Sequence, residues 1–599
     1  MQTVDQRIEK LRKLMEEKGI DIYYIPNEDD HLSEEYTADY FKCKSFISGF
    51  SGEAGCTIVT KDFAGLWTDG RYFTQAEHEL EGTCVTLMRL RQEGIPDPIP
   101  FLIDNTPENG CLGFDGKVVS SSDAIHLSKE LEKKNAKLHT TDDLVDTVWG
   151  KDRPSMPQEE IYILPKKYVG EDITERIQKV RDAMKKKGAD VLVLTKLEDP
   201  CWMLNIRGND IESTPVSYAF AVVTEDEVIY YVDKAKVTDE VEKYFTEAKV
   251  TLKGYNDIEK DLEDLKDKKI WVNLRSFNTS FYSHLDSSNQ IINEDSPVVL
   301  FRAIKNETEL TNTINAHIKD GVAMVRFLYW LKHNIQTVPM TERSVEDKLL
   351  SFREEQEGFI EPSFHTISAY KGNAAMMHYT ANDETNAELH PEGFLLVDSG
   401  GTYFDGTTDI TRTISLGHPT KEEKLYFTTV LKSVIDLADT VFLKGCNGQN
   451  LDIKARAPIW KMLIDYKCGT GHGVGHILSV HEAPNGFRWQ IVKERNDSAP
   501  LVPGMITTDE PGIYLEGKLG IRIENELLCK EVETNEWGTF YGFETITYAP
   551  IDLDLIDANL LTQDEKHWLN DYHKIVFENL SPYLDDDTKK WLKKYTKAI

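Results

Sequence analysis

No apolar run in these 599 residues approaches the ~20 that a bilayer-spanning helix requires, so no membrane anchor is expected. The opening residues, Met1-Gln-Thr-Val-Asp-Gln-Arg7, lead straight into a charged amphipathic stretch and lack the apolar centre of a secretory signal. Cysteine is sparse. Eight are scattered without one C-x-x-C pair, which argues against a zinc ribbon or a disulfide framework and suits reduced thiols in a cytoplasm. Positive charge is in deficit: 69 Lys and Arg against 102 Asp and Glu leave a net charge of −33. Nucleic acid and anionic membrane surfaces would both repel such a chain, so neither is expected as a partner. The plain reading of the acidity is solubility. Low-complexity sequence is absent.

What is present is an ordinary globular composition, 40% hydrophobic and 29% charged, with enough length for about three to five domains. Ile8, Leu11, Leu14 and Met15 recur at helical spacing and predict a helix over 6–19, stopped by Gly19, followed by a buried strand over 20–25. The design returns later in the chain. Arg7, Ile8, Arg12, Met15, Lys18, Gly19 and Asp21 align with Arg176, Ile177, Arg181, Met184, Lys187, Gly188 and Asp190, and a strand at 191–194 follows. Two similar α/β domains in tandem are therefore expected. Ser48-Gly-Phe-Ser51-Gly-Glu-Ala-Gly55 nearly matches a nucleophile elbow, but Glu53 replaces its second Gly, so it reads as a glycine-rich turn. The polar segment 150–157 reads as a linker, and a second boundary falls near residue 305, where Asn306 and Glu309 have capping-box spacing. These marks divide the chain into 1–156, 157–305 and 306–599. In the third part Thr420 and Glu423 repeat the capping-box spacing, and the tail from about Asp564 reads as helical.

The chemistry is concentrated between Asp398 and Glu524. Asp398 and Asp409 flank a glycine-containing turn, as on two hairpin arms. His472 lies in the loop Gly469-Thr-Gly-His-Gly-Val-Gly475, which fails the dinucleotide pattern because Val474 holds the place of its last Gly. Glu510 lies in Asp-Glu-Pro-Gly. Glu524 is read as mid-strand, on the same face as Arg522, with Ile521 and Ile523 opposite. Any one of these acids is more often a turn or surface residue. Four converging carboxylates would repel one another unless cations neutralised them, and four acids with one neutral imidazole suit two divalent ions such as Mn, Co or Zn.

These clusters identify the chain as a member of the creatinase/aminopeptidase P/methionine aminopeptidase superfamily, peptidase family M24. Within it the chain resembles the three-domain Xaa-Pro aminopeptidases of cytosolic type, through the motifs at Asp398, His472, His481, Glu510 and Glu524 and through Trp67-Thr-Asp-Gly-Arg71-Tyr-Phe, Asn205-Ile-Arg-Gly208 and Trp568-Leu-Asn-Asp-Tyr-His573. The resemblance implies two tandem creatinase-like α/β domains followed by an α+β pita-bread catalytic domain. It implies five metal ligands, with Asp409 and Glu524 bridging two ions, Asp398 completing one, and His472 and Glu510 completing the other. The expected metal is Mn²⁺, with Co²⁺ or Zn²⁺ as alternatives. His378 and His481 match two substrate-facing histidines, and Arg71 and Tyr514 are carried as substrate contacts. The implied reaction releases the N-terminal residue from peptides with proline second, through attack by a hydroxide shared between the ions. Glu510 shuttles its proton, His378 and His481 stabilise the tetrahedral intermediate, and Arg522 holds a ligand carboxylate from behind. A homodimer through the C-terminal domain is implied as well. One position departs: Cys468 stands where the family carries a histidine. The alternatives are a prolidase restricted to X-Pro dipeptides and a pita-bread module that binds peptides without cleaving them. The filled ligand set opposes the second.

Overall fold

The computed structural model describes residues 2–33, 36–491 and 497–599. Contacts divide it into two compact units: Met1–Ile163 with Asp172–Val298, and Leu164–Glu171 with Val299–Ile599.

The first unit contains the repeated design. Helix α1 (Val4–Lys18) starts at Thr3, which forms a capping box with Gln6, and stops at Gly19 in the left-handed region, φ 69°. Helix α2 (Ile173–Lys187) starts at Asp172, boxed with Glu175, and stops at Gly188, φ 72°. Strand β1 (Ile22–Pro26) centres a six-stranded sheet with β2 (Cys56–Thr60), β3 (Ala64–Thr68), β4 (Thr86–Arg89), β5 (Cys111–Gly113) and β6 (Lys137–His139), in the order β4-β3-β2-β1-β5-β6. The second sheet takes β7 (Val191–Leu194), β8 (Ala219–Thr224), β9 (Val228–Val232), β10 (Val250–Lys253), β11 (Lys269–Trp271) and β12 (Gln290–Ile292), in the equivalent order β10-β9-β8-β7-β11-β12.

The aligned residues have equivalent partners. Asp21 accepts the Cys111 N–H, and Asp190 accepts the Lys269 N–H, both at 2.8 Å. The Arg12 guanidinium donates to the Thr60 carbonyl at 2.9 Å, and Arg181 to the Thr224 carbonyl at 3.0 Å. Arg7 donates to Phe46 O, and Arg176 to Trp202 O. The polar positions of the repeat therefore pin each helix to its own sheet and neighbouring loop, while Ile8, Leu11 and Met15, or Ile177, Val180 and Met184, bury the apolar stripe.

The second unit is built on α3 (Glu307–Asn334), capped by Asn306 boxed with Glu309. A three-stranded sheet, β13 (Ile367–Tyr370), β14 (Phe394–Ser399) and β15 (Ile410–Ser415), lies in the order β13-β14-β15. Helix α4 (Lys421–Ala438) is capped by Thr420 boxed with Glu423. A six-stranded sheet is formed by β16 (Phe442–Leu443), β17 (Gly471–Gly473), β18 (Glu482–Phe487), β19 (Ile506–Asp509), β22 (Asn525–Asn535) and β23 (Gly538–Thr545), in the order β16-β23-β22-β19-β17-β18; β20 (Gly512–Leu515) and β21 (Leu519–Arg522) pair as a hairpin. Helices α5 (Gln563–Leu580) and α6 (Asp586–Tyr595) close the chain. Val325, Leu328, Leu395, Val397, Val430, Val434, Ile521, Ile523, Leu569 and Val576 meet in the main core.

One expectation is corrected here. Glu524 is not mid-strand: it lies in the two-residue break between β21 and β22. The chain leaves a two-stranded hairpin there for a different sheet, so it cannot continue one ladder. Among the described residues, no helix is long and apolar enough to cross a membrane.

Candidate metal centre

Asp398, near the end of β14, pairs in register with Thr411 of β15, and Asp409 directly precedes β15. A small hairpin, Gly401–Tyr403 with Gly406–Thr407, fills the turn between them. The turn closes tightly at Gly400, where a Cβ would overlap the Thr408 carbonyl oxygen and the Ser363 hydroxyl. His472 is the centre of β17, and the ladder to β18 shifts register between His472 and Gly473. Such an irregularity re-aims a side chain. Glu510 directly follows β19, anchored by its N–H donating to Thr470 O at 2.8 Å.

The strand ends converge. His472 Nε2 lies 3.4 Å from Asp409 Oδ2 and 3.6 Å from Glu510 Oε1. Its Nδ1 lies 3.0 Å from the Gly473 carbonyl, which can only accept, so in the neutral ring the proton sits on Nδ1 and it is Nε2 that turns a lone pair toward the acids. One donor atom each from Asp409, His472 and Glu524 lie within 4.8 Å of one another. Arg522 donates through Nη2 to Asp398 Oδ2, through Nη1 to Tyr514 Oη at 2.8 Å, and through Nε to Thr411 Oγ1 at 3.1 Å. The Thr411 hydroxyl in turn donates to Glu524 Oε2 at 2.7 Å. The His481 ring meets His472 edge-on, centroids 4.3 Å apart. Two expected residues stand on other elements: His378 on the exposed turn after Lys371–Ala375, and Arg71 in the first unit, where its guanidinium grips Asp69 at 2.8–3.2 Å.

The cluster is electrostatically expensive as a set of anions. Burial, then the charges of Asp409, Asp398 and Glu510, push the Glu524 carboxyl well above the ordinary range, with Arg522 opposing. Burial lifts Asp409 to about 6 despite its bond to His472. Burial alone would lower His472, but Asp409 and Glu510 outweigh it and raise the imidazole to about 9. Asp398 Oδ1 and Asp409 Oδ1 are buried and, among the described residues, without a hydrogen-bond partner. Unsatisfied carboxylate oxygens aimed at a shared point, together with an imidazole nitrogen, form a hard-to-borderline donor set that fits divalent cations. The Cys468 thiol is half-buried and pushed up to about 11, by burial first and Glu510 next, so it is a neutral thiol near pH 7.

Reading the residues in sequence misses four of them. Glu526 accepts the Asp409 N–H at 2.8 Å through Oε1 and faces His317 Nε2 at 3.1 Å through Oε2. Its signal was its place two residues beyond Glu524. Thr411 and Arg412 gave none beyond adjacency to Asp409. Asp509 is fully buried with neither oxygen hydrogen-bonded among the described residues, and burial with the charge of Glu510 holds its carboxyl well above the ordinary range.

Comparison with known proteins bears on this geometry. A model described as metallopeptidase family M24 matches residues 312–531, and a C-terminal region of peptidase M24 matches 539–599. Two creatinase/prolidase N-terminal domain models match 7–148 and 152–309. A protein named probable Xaa-Pro aminopeptidase P, from Laccaria bicolor, is 41% identical over 98% of this chain and 92% of its own length. Aminopeptidase P1 of Arabidopsis thaliana is 39% identical over 99% of each. Among solved structures, an X-prolyl aminopeptidase from Caenorhabditis elegans, described as a cytosolic enzyme with a di-nuclear active site, superposes with a TM-score of 0.94 at 32% identity, covering 100% of both chains.

Proposed function

The chain belongs to metallopeptidase family M24, and from that premise we propose that it is an Xaa-Pro aminopeptidase, releasing the N-terminal residue from peptides with proline in second position. The observation that carries the reading is the convergence of Asp409, His472, Glu510 and Glu524, with Asp398 held by Arg522 at the same strand ends. Full-length likeness to aminopeptidase P relatives favours it over a prolidase.

In this reading Asp398, Asp409, His472, Glu510 and Glu524 would together hold two divalent cations. Mn²⁺ is the proposed metal. When bound, the pair supplies Lewis acidity and an activated water. Glu510, at a strand end beside His472, takes the water's proton and returns it to the departing proline nitrogen. His481 and His378 donate to the oxygen of the scissile carbonyl as charge develops on it. Arg522 keeps Asp398 and, through Thr411, Glu524 in their orientations. Tyr514, already a partner of Arg522, and Arg71 are proposed to contact the peptide. An X-Pro bond has no N–H, so a site with no acceptor for one and room for the ring selects proline by shape.

We further propose the division 1–156, 157–305 and 306–599, a cytoplasmic location and a homodimer through the catalytic domain. The decisive assay is N-terminal residue release from Arg-Pro-Pro and from Ala-Ala-Ala, with metal-stripped protein, with added Mn²⁺, and with Asp409→Asn. Mn²⁺-dependent cleavage of the proline peptide alone, abolished in the variant, is expected. Cleavage confined to dipeptides would move the reading to a prolidase, and two bound ions without hydrolysis would leave a binding module.

A further inference from the structure

We propose that the C-terminal helix α5 is part of the metal centre: its Tyr572, acting through Arg412, is a positioning residue that holds Glu524 in place against the Asp409 strand. The inference rests on Asp409 and Glu524 being metal ligands.

Arg412 lies on β15, three residues after Asp409, with 2% of its surface exposed. Its guanidinium is fully committed. Nη1 donates to the carbonyls of Thr411 at 2.9 Å and Glu524 at 2.6 Å. Nη2 donates to Asn525 Oδ1 at 2.8 Å, to the Ala549 carbonyl at 2.9 Å and to Tyr572 Oη at 2.7 Å, while Nε donates to the Pro550 carbonyl at 3.2 Å. None of these partners is a carboxylate. A buried guanidinium is costly unless its donors are met, and here neutral oxygens from four chain segments meet them. Such a planar fork cannot shift toward one partner without losing another, so it fixes the segments relative to each other.

The segments include the one that matters. The Glu524 backbone is clasped on both sides: its N–H donates to Thr411 O at 3.1 Å and its carbonyl accepts from Arg412. Glu524 sits in the break between two strands, where no ladder otherwise sets its position. The Tyr572 hydroxyl closes the clasp, accepting from Arg412 and donating to Ala549 O at 2.8 Å. Its ring stacks on Trp568, centroids 5.4 Å apart. Removing only the hydroxyl therefore leaves the helix packed but takes away one of the three acceptors that share the two Nη2 hydrogens, together with the hydroxyl's own link to Ala549 O.

The test is Mn²⁺ binding to metal-stripped full-length chain, measured by calorimetric titration, for the parent, Tyr572→Phe and Lys432→Met. Lys432 ties α4 to α5 through Glu565 at 2.5 Å, away from Arg412, and serves as the stability control. Tyr572→Phe is expected to bind Mn²⁺ about 10- to 100-fold more weakly, the usual effect of losing a residue that orients metal ligands. Lys432→Met is expected to lower the melting temperature without moving that affinity. Parent-like Mn²⁺ binding by Tyr572→Phe overturns the proposal, as does equal weakening in Lys432→Met. A parent that binds no Mn²⁺ overturns the metal-centre reading and this proposal with it. Should Tyr572→Phe not fold, Asn525→Ala removes another acceptor from the same guanidinium and is read in the same way.

Discussion

Arg522 serves two acids at once. It touches Asp398 directly through Nη2 and reaches Glu524 from Nε through the Thr411 hydroxyl, while Nη1 holds Tyr514. Lysine keeps the charge but cannot offer this fork. Arg522→Lys is therefore expected to lower kcat/KM on Arg-Pro-Pro by about 10- to 100-fold, and Arg522→Met by more, with Mn²⁺ in excess. Steady-state kinetics check this, and a lysine variant with parental kcat/KM would remove the orienting role. At this scale the candidate ligands were legible, because acids and a histidine bordered by glycines are conspicuous in a strand-forming stretch. Glu526, Asp509 and Arg412 were not, because what distinguishes them is burial and the identity of distant partners such as Tyr572.

Close backbone approach governs the elements. Gly400 has no room for a Cβ against the Thr408 carbonyl, and Gly471 has none against the Thr508 carbonyl. Both glycines flank candidate ligands, so the contacts bring strand ends together where the acids converge. Gly400→Ala must push β14 away from the turn that carries Asp409. The expected outcome is a loss of about 1–3 kcal/mol in unfolding free energy together with weakened Mn²⁺ binding. Thermal unfolding and a Mn²⁺ titration check it; parental values in both would show that the turn yields freely. The capping boxes at Asn306 and Thr420 were visible because a cap is a local contract between residues three apart. The break at Glu524 was invisible, because alternation of apolar and polar residues continues unbroken through Ile521 to Glu524 while the chain changes sheets.

For the molecule as a whole, the two N-terminal sheets are joined by a buried polar chain. His31 Nδ1 lies 2.6 Å from Thr195 O, His31 Nε2 lies 2.8 Å from Tyr255 Oη, and Tyr255 Oη lies 2.7 Å from Asp30 Oδ2. The carbonyl only accepts, so Nδ1 holds the proton of the neutral ring, and the Tyr255 hydroxyl beside Nε2 donates to Asp30 Oδ2. The titration directions agree. Burial, then Asp29, raise Asp30 to about 8, with Tyr255 and Lys117 opposing and Asp115 adding; burial raises Asp29 to about 6 and lowers His31 to about 3. A carboxyl that keeps its proton when folded and loses it near 3.8 when unfolded stabilises the fold at low pH, and that stability disappears as pH rises toward the folded value. His31 works oppositely, losing stability as pH falls below 6.5. Between pH 6.5 and 8 Asp30 alone remains, so stability of this unit should fall by up to about 1.4 kcal/mol per pH unit. Asp30→Asn, which cannot ionise and keeps an oxygen to accept from Tyr255, should flatten that slope in denaturant unfolding. A flat parent curve, or a variant as steep as the parent, would refute the assignment.

The sequence by itself determined the tandem design, the helix caps, the stretch that carries the chemistry and the candidate ligand set, since each is written in residues close together or repeated at matched spacing. Only the tertiary structure decided which buried oxygens are left without hydrogens to accept, where the chain changes sheets, and that Arg412 and Tyr572 stand behind Glu524. Those properties depend on desolvation and on distances between residues far apart in the chain, which no local pattern records.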